Sequence, residues 1–229
     1  MSGWWVEQLW NAGRGFELGS WIFWVIFSIC LHELGHGWAA IWEGDDTPRR
    51  TGHMTIDPMV HMGGYSILAF LLLGFAWGLM PVNPGNFRHR RWGDAIVAVA
   101  GPAVNLVLAF VLLTIAGVVS ATILTSGTES KWAVNSYLFF ETGGRLNLIL
   151  LALNLLPIPP LDGSRILATV SSPYRRLLNH PNAGLFGLAF FVIVFWITPI
   201  GRVAYGFIEN AASVWVGIVQ GVIMATSGN

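Results

Sequence analysis

Residues 21–43, WIFWVIFSICLHELGHGWAAIWE, form an apolar run with His32, Glu33 and His36 embedded in it. As a helix it is roughly 34 Å long, enough to cross a ~30 Å hydrocarbon core. Further apolar runs fall at about 65–80, 95–120, 145–168, 184–200 and 203–225. Charged residues make up only 10% of the chain, against roughly 25% in a soluble domain. The expected fold is therefore an all-α polytopic membrane protein with five or six transmembrane helices in one domain, 1–229. Its core spans 21–170, and a C-terminal helix pair occupies 184–225, with "ITPIGR" as the tight turn between the pair. Twelve basic residues balance twelve acidic ones, which argues against a nucleic-acid partner. Cys30 is the single cysteine, so an internal disulfide and a cysteine metal site are both excluded. The first charge is Glu7 and the first long run holds the ionisable cluster, so that run is expected to remain in the mature protein.

The connectors carry finer signals. "TGHMTID", 51–57, alternates polar and apolar residues; a period of two predicts a short strand or β-hairpin region, stopped by Pro58. "HMGGYS", 61–66, reads as a turn leading back to the membrane.

His32 and His36 are four residues apart, so a helix places both imidazoles on one face about a turn apart. Both can hold one metal ion, with Glu33 beside them to take a proton from a water that the metal polarises. H-E-x-x-H is the metalloprotease pattern, with the glutamate as base and not ligand. An ionisable cluster in mid-membrane is costly and points to function; the alternative is a histidine pair that hydrogen-bonds neighbouring helices. A catalytic zinc site needs three protein ligands and an open position. His53, His61, His89 and His180 all lie in polar connectors and read as solvated surface residues. "NLLPIPPLDGSR", 154–165, offers Asp162: Pro157, Pro159 and Pro160 interrupt an apolar helix and free the backbone there. A carboxylate at that depth needs a partner, and zinc would serve. The alternative is a helix cap for the turn beginning at Gly163.

"HELGH", "GPAVN" at 101–105 and "NLLPIPPLDG" together resemble the site-2 proteases, intramembrane zinc metalloproteases, over about residues 28–170. The resemblance implies one zinc ion held by His32, His36 and Asp162, with Glu33 as catalytic base. It also implies that Asn154 holds the substrate or its oxyanion, and that Asn105 has a related role, with helix packing at Gly101 and Pro102 as the alternative. No PDZ or CBS domain is legible, which suggests a core-only member of bacterial type. The implied partner is a transmembrane protein substrate, single-pass, within the lipid bilayer; nothing in the sequence gives an oligomeric state.

Depth arithmetic separates two topologies. His36 stands 15 residues past Trp21, ~22 Å from the N-terminal side. If 65–80 spans, the 145–168 segment runs back towards that side and Asp162 misses His36 by more than ~10 Å. If 65–80 dips and returns, the depths agree. The dip also places eight of the twelve basic residues on the far side, which makes that side cytoplasmic. The expectation is a membrane-dipping segment near 65–80, a metal site in the cytoplasmic half, and residence in the bacterial inner membrane. Two rivals keep the ligands but not the chemistry: an inactive zinc-binding scaffold, which has no need of Glu33, and a metal transporter, which needs polar sites at several depths.

Overall fold

The computed structural model describes residues 6, 10–127 and 130–227. All of its regular structure is helical. In chain order the helices are α1 (Gly15–Trp42), α2 (Thr47–Arg50), α3 (Pro58–Leu73), α4 (Gly93–Ser126), α5 (Lys131–Asn154), α6 (Asp162–Val170), α7 (Ser172–Leu178), α8 (Ala183–Val192) and α9 (Ile200–Ser227). A π-helical turn, Ile193–Ile197, extends α8, and the break at Thr198–Pro199 before α9 falls where the hairpin turn was expected.

The core is a three-helix unit of α1, α4 and α5, and α4 also packs against α6 and α9. Side-chain pairs fix the directions. His32 bonds Asn105 and His36 bonds the Val97 carbonyl, so α1 and α4 are antiparallel. Trp24 donates to the Phe139 carbonyl and Ser28 accepts from Asn147, so α1 and α5 are parallel. Gly143 permits that approach: a Cβ there would lie 2.6–2.7 Å from atoms of the Trp24 ring. Small residues serve membrane helices in this way, because packing between helices there has no hydrophobic drive.

The 65–80 segment enters and leaves at one end. α3 bends at Gly63 and stops at Gly74, whose φ of +73° suits glycine. Phe70, near its tip, stacks on Trp21 with centroids 5.1 Å apart. Residues 75–83 then return without regular structure. The Trp77 N–H bonds Ser66 Oγ at 2.9 Å, and the Leu79 N–H bonds the His61 carbonyl at 2.9 Å. The segment therefore turns back along α3.

The strand does not form: among the described residues there is none. Residues 51–57 make turns and bends. The His53 N–H is spent on the Pro48 carbonyl and Gly52 has φ +73°, so local turns take the donors that a ladder would need. The span count also differs. Among the described residues three helices (α1, α4 and α9) are long and apolar enough to cross a membrane, or four if α7 and α8 form one broken span. The 145–168 segment is broken at its prolines. α5 begins earlier than that segment and carries Glu141, Arg145 and Asn147, which lower its hydropathy.

Candidate metal centre

Residues 155–161, including three prolines, leave helical geometry between α5 and α6. Asp162 is the first residue of α6 and makes no capping bond. Its Oδ2 instead lies 3.1 Å from His32 Nε2 and 3.2 Å from His36 Nε2, and the two Nε2 atoms are 3.0 Å apart. All three residues are at least 92% buried. Arg165, one turn on, binds Asp94 of α4 through Nε and Nη2 at 3.1 and 2.5 Å, which fastens the start of α6.

Hydrogen bonding fixes which atoms face inwards. His36 Nδ1 lies 2.7 Å from the Val97 carbonyl, which can only accept, so Nδ1 carries the proton and Nε2 a lone pair. A longer chain of bonds decides His32. The Gly143 carbonyl accepts from Asn147 Nδ2 at 2.8 Å, so Asn147 Oδ1 accepts from Asn105 Nδ2 at 2.8 Å. Asn105 Oδ1 therefore accepts from His32 Nδ1 at 2.6 Å, and His32 Nε2 also presents a lone pair. Asn105 and Asn147 are fully buried, so no water competes for these bonds.

Three acceptors thus converge with no proton to share, an arrangement that only a cation stabilises. Zinc bonds of about 2.0–2.2 Å at tetrahedral angles set ligand atoms about 3.3 Å apart, close to the observed 3.0–3.2 Å. Gly101 leaves the room: a Cβ there would lie 2.6 Å from His32 Nε2 and collide with His36 Nε2. The donor set and the spacing fit zinc.

Glu33, one residue beyond His32, lines a cleft of about 430 Å³ with the two histidines, Asn154 and Asp162. One wall is the returning segment 75–80 and the other is Pro159–Leu161 with Leu188 and Phe191 of α8. Gly78 lies on Glu33, where a Cβ would approach Cγ and Cδ to 2.6 and 2.7 Å. The returning backbone alternates. Trp77 and Leu79 bond inwards to α3, whereas the backbone groups of Ala76, Gly78 and Met80 have no hydrogen bond among the described residues.

Of the residues singled out in the sequence, His32, His36, Asp162 and Glu33 come together, and Asn154 lines the same cleft with its amide donating to the Leu150 carbonyl at 3.0 Å. Asn105 departs from the substrate or oxyanion role. It stands fully buried behind His32 with both amide atoms bonded, so it faces the histidine and not the cleft. None of the other four histidines joins the cluster. His61 is not a solvated surface residue: it is 2% exposed, with Nε2 2.6 Å from the Thr55 carbonyl. Asn147 and Ser28 escaped sequence reasoning; the available signal was a lone amide in an apolar stretch two turns before Asn154.

The sequence profile of Peptidase family M50 matches residues 20–197. The chain belongs to peptidase family M50, the site-2 protease family. YwhC of Bacillus subtilis is 36% identical over 180 residues, covering 77% of this chain and 80% of that protein. Rip2 of Mycolicibacterium smegmatis is 32% identical over 185 residues, 76% of this chain and 65% of that protein. Rip2 of Mycobacterium tuberculosis (H37Rv) is 32% identical over 178 residues, 75% of this chain and 64% of that protein. The words zinc metalloprotease stand in all three names. No solved structure matches the chain. This M50 member is a multi-pass membrane protein and an intramembrane zinc metalloprotease, and zinc is its cofactor.

Proposed function

We propose that His32, His36 and Asp162 hold a single zinc ion and that Glu33 is the general base for hydrolysis of a peptide bond in or near a substrate's transmembrane segment. The observation that carries this reading is the convergence of three lone pairs from α1 and α6 at one point beside Glu33. Bound there, zinc supplies Lewis-acid polarisation of the scissile carbonyl and the attacking water. Glu33 accepts a proton from that water as its oxygen bonds to the carbonyl carbon, then returns the proton to the leaving amide nitrogen as the C–N bond breaks. The free N–H of the Asn154 amide stabilises the oxyanion. Asn105 and Asn147 keep His32 in the tautomer that faces its Nε2 to the metal.

A substrate helix hides its carbonyls in its own hydrogen bonds and must unwind before attack. The unspent backbone edge at Ala76, Gly78 and Met80 suits pairing with that unwound strand beside Glu33. The excess of basic residues at the far end of α1 supports a metal site in the cytoplasmic half of a bacterial inner membrane. The substrate class is a single-pass transmembrane protein.

Membrane proteomics of cells carrying Glu33→Gln tests the reading. Transmembrane fragments absent from the parent strain should accumulate while the purified variant keeps its zinc. An unchanged peptide inventory would refute it.

A further inference from the structure

A second cavity, of about 440 Å³, lies behind the wall of the catalytic cleft, between the proline segment, α7 and α8. Its lining includes Ile158, Pro159, Leu177, Ala183, Phe186 and Phe190. The volume is within the roughly 300–1,000 Å³ of ligand pockets. The Tyr174 hydroxyl, at its edge, is spent on the Pro157 carbonyl at 2.7 Å, so the interior offers an apolar surface.

Positive charge is carried by α7, the helix whose Tyr174 and Leu177 line the cavity. Residues 163–208 contain four arginines and no acidic residue. Arg165 is paired with Asp94, and Arg175 is spent on the carbonyls of Ala168 and Thr169. Arg176 is exposed and forms neither an ion pair nor a hydrogen bond among the described residues. His180 accepts from the Asn182 N–H through Nδ1 at 3.2 Å, which leaves an Nε2–H to donate. α7 is bent 95° from α8. With α8 set across a bilayer, that bend would lay α7 along the surface and bring Arg176 to headgroup level, while Tyr174 and Leu177 line the cavity from that helix.

We infer that this cavity and the basic α7 form a binding site for one anionic phospholipid, with an acyl chain between α7, α8 and the proline segment and its phosphate at Arg176 and His180. Apolar walls alone would accept any lipid; the unpaired guanidinium of Arg176, next to the lining residue Leu177 on α7, selects a negative headgroup. The site also bears on the protease. Pro159 borders both the cavity and the catalytic cleft, and Gly187 of α8 packs directly on its carbonyl. An acyl chain behind that wall braces the segment that delivers Asp162. Binding is independent of the catalytic reading, whereas this second effect rests on it.

The test is native mass spectrometry of the full chain released from nanodiscs of equimolar phosphatidylglycerol and phosphatidylcholine. One phosphatidylglycerol should be retained preferentially. Arg176→Gln should lower that preference about fivefold, the worth of one surface arginine, while phosphatidylcholine retention stays unchanged. Ala183→Phe, which fills the cavity, should lower retention of both lipids, with melting temperature and zinc content as folding controls. In phosphatidylcholine nanodiscs, added phosphatidylglycerol should raise cleavage by the parent protein but not by Arg176→Gln. Equal retention of the two lipids, retention unaltered by both substitutions, or a peptide or second copy of the chain bound in place of lipid would each overturn the lipid site. Loss of the cleavage effect with selective binding intact would overturn only the brace.

Discussion

Buried carboxylates occur in two places near the end of α1, and their surroundings have opposite polarity. At Asp162 the neighbouring polar atoms are the lone-pair nitrogens of His32 and His36, so acceptors face an acceptor. At Glu43 and Asp45, just past α1, the neighbours are donors. Glu43 receives the His89 N–H at 3.0 Å and faces its imidazole at 2.9 Å. Asp45 receives the Asn83 N–H at 2.6 Å, Asn86 Nδ2 at 2.9 Å and the Thr47 hydroxyl at 2.5 Å. Both carboxylates are fully buried. The first arrangement calls for a cation and the second is already satisfied. The direction of the hydrogen bonds, not the number of acidic groups, separates a metal centre from a structural clamp that ties the 83–89 loop to α1.

The largest effect expected from that contrast is at Asp162. Asp162→Asn removes the anionic ligand and should weaken zinc binding by more than about 100-fold, beyond what a supporting residue costs. Zinc content after dialysis measures it, and the Asp45→Asn variant should keep full zinc in the same assay. Zinc lost equally from both would erase the distinction. Glu33→Gln comes next: it should cut turnover by about 10²–10⁴-fold, the worth of a general base, with zinc retained. Retained proteolysis would reassign the base. Asn147→Leu follows, two residues removed from the metal. It should weaken zinc binding by roughly 10–100-fold, read by chelator competition, because Asn105 loses the partner that orients it towards His32. An affinity equal to the parent's would show that Asn105 holds its orientation alone.

The ease of reading these features from sequence varied for physical reasons. His32, Glu33 and His36 were legible because helical rise fixes their relative placement whatever surrounds them. That the 65–80 segment turns back on itself was legible from depth arithmetic, since Asp162 can meet His36 in only one of two topologies. The strand at 51–57 was misread. TGHMTID alternates but spends its backbone on turns, whereas FAWGLMPV, which returns without regular structure, is apolar throughout although Phe75, Trp77 and Leu79 are exposed, so no alternation of polarity marked it. Asn105 was visible and its neighbour in the network was not: the partner of a buried amide depends on which helices meet, and no spacing along the chain encodes that. The burial of Glu43 and Asp45 was not legible, since WEGDD carries no sign that the 83–89 loop folds back over it.

The smallest effect, and the sharpest for the comparison, concerns acid stability. Burial alone would raise the Asp45 carboxyl, but the Asn83 N–H, the Thr47 hydroxyl and the Asn86 amide hold it below the usual carboxylate range. A group whose folded value lies below its unfolded value binds fewer protons when folded, so its contribution is complete above the unfolded value of about 3.9 and is lost as pH falls through the folded one. Thermal melting in detergent should therefore show the parent protein losing stability below about pH 4. Asp45→Asn should be less stable at neutral pH by about 1–3 kcal/mol, the cost of mispaired buried donors, and should lose less on acidification. A parallel pair of melting curves from about pH 6 to 3 would mean that the carboxylate's charge does not hold the 83–89 loop. In that case donors around an acid would mark packing only, and hydrogen-bond direction would identify the zinc site without explaining the clamp.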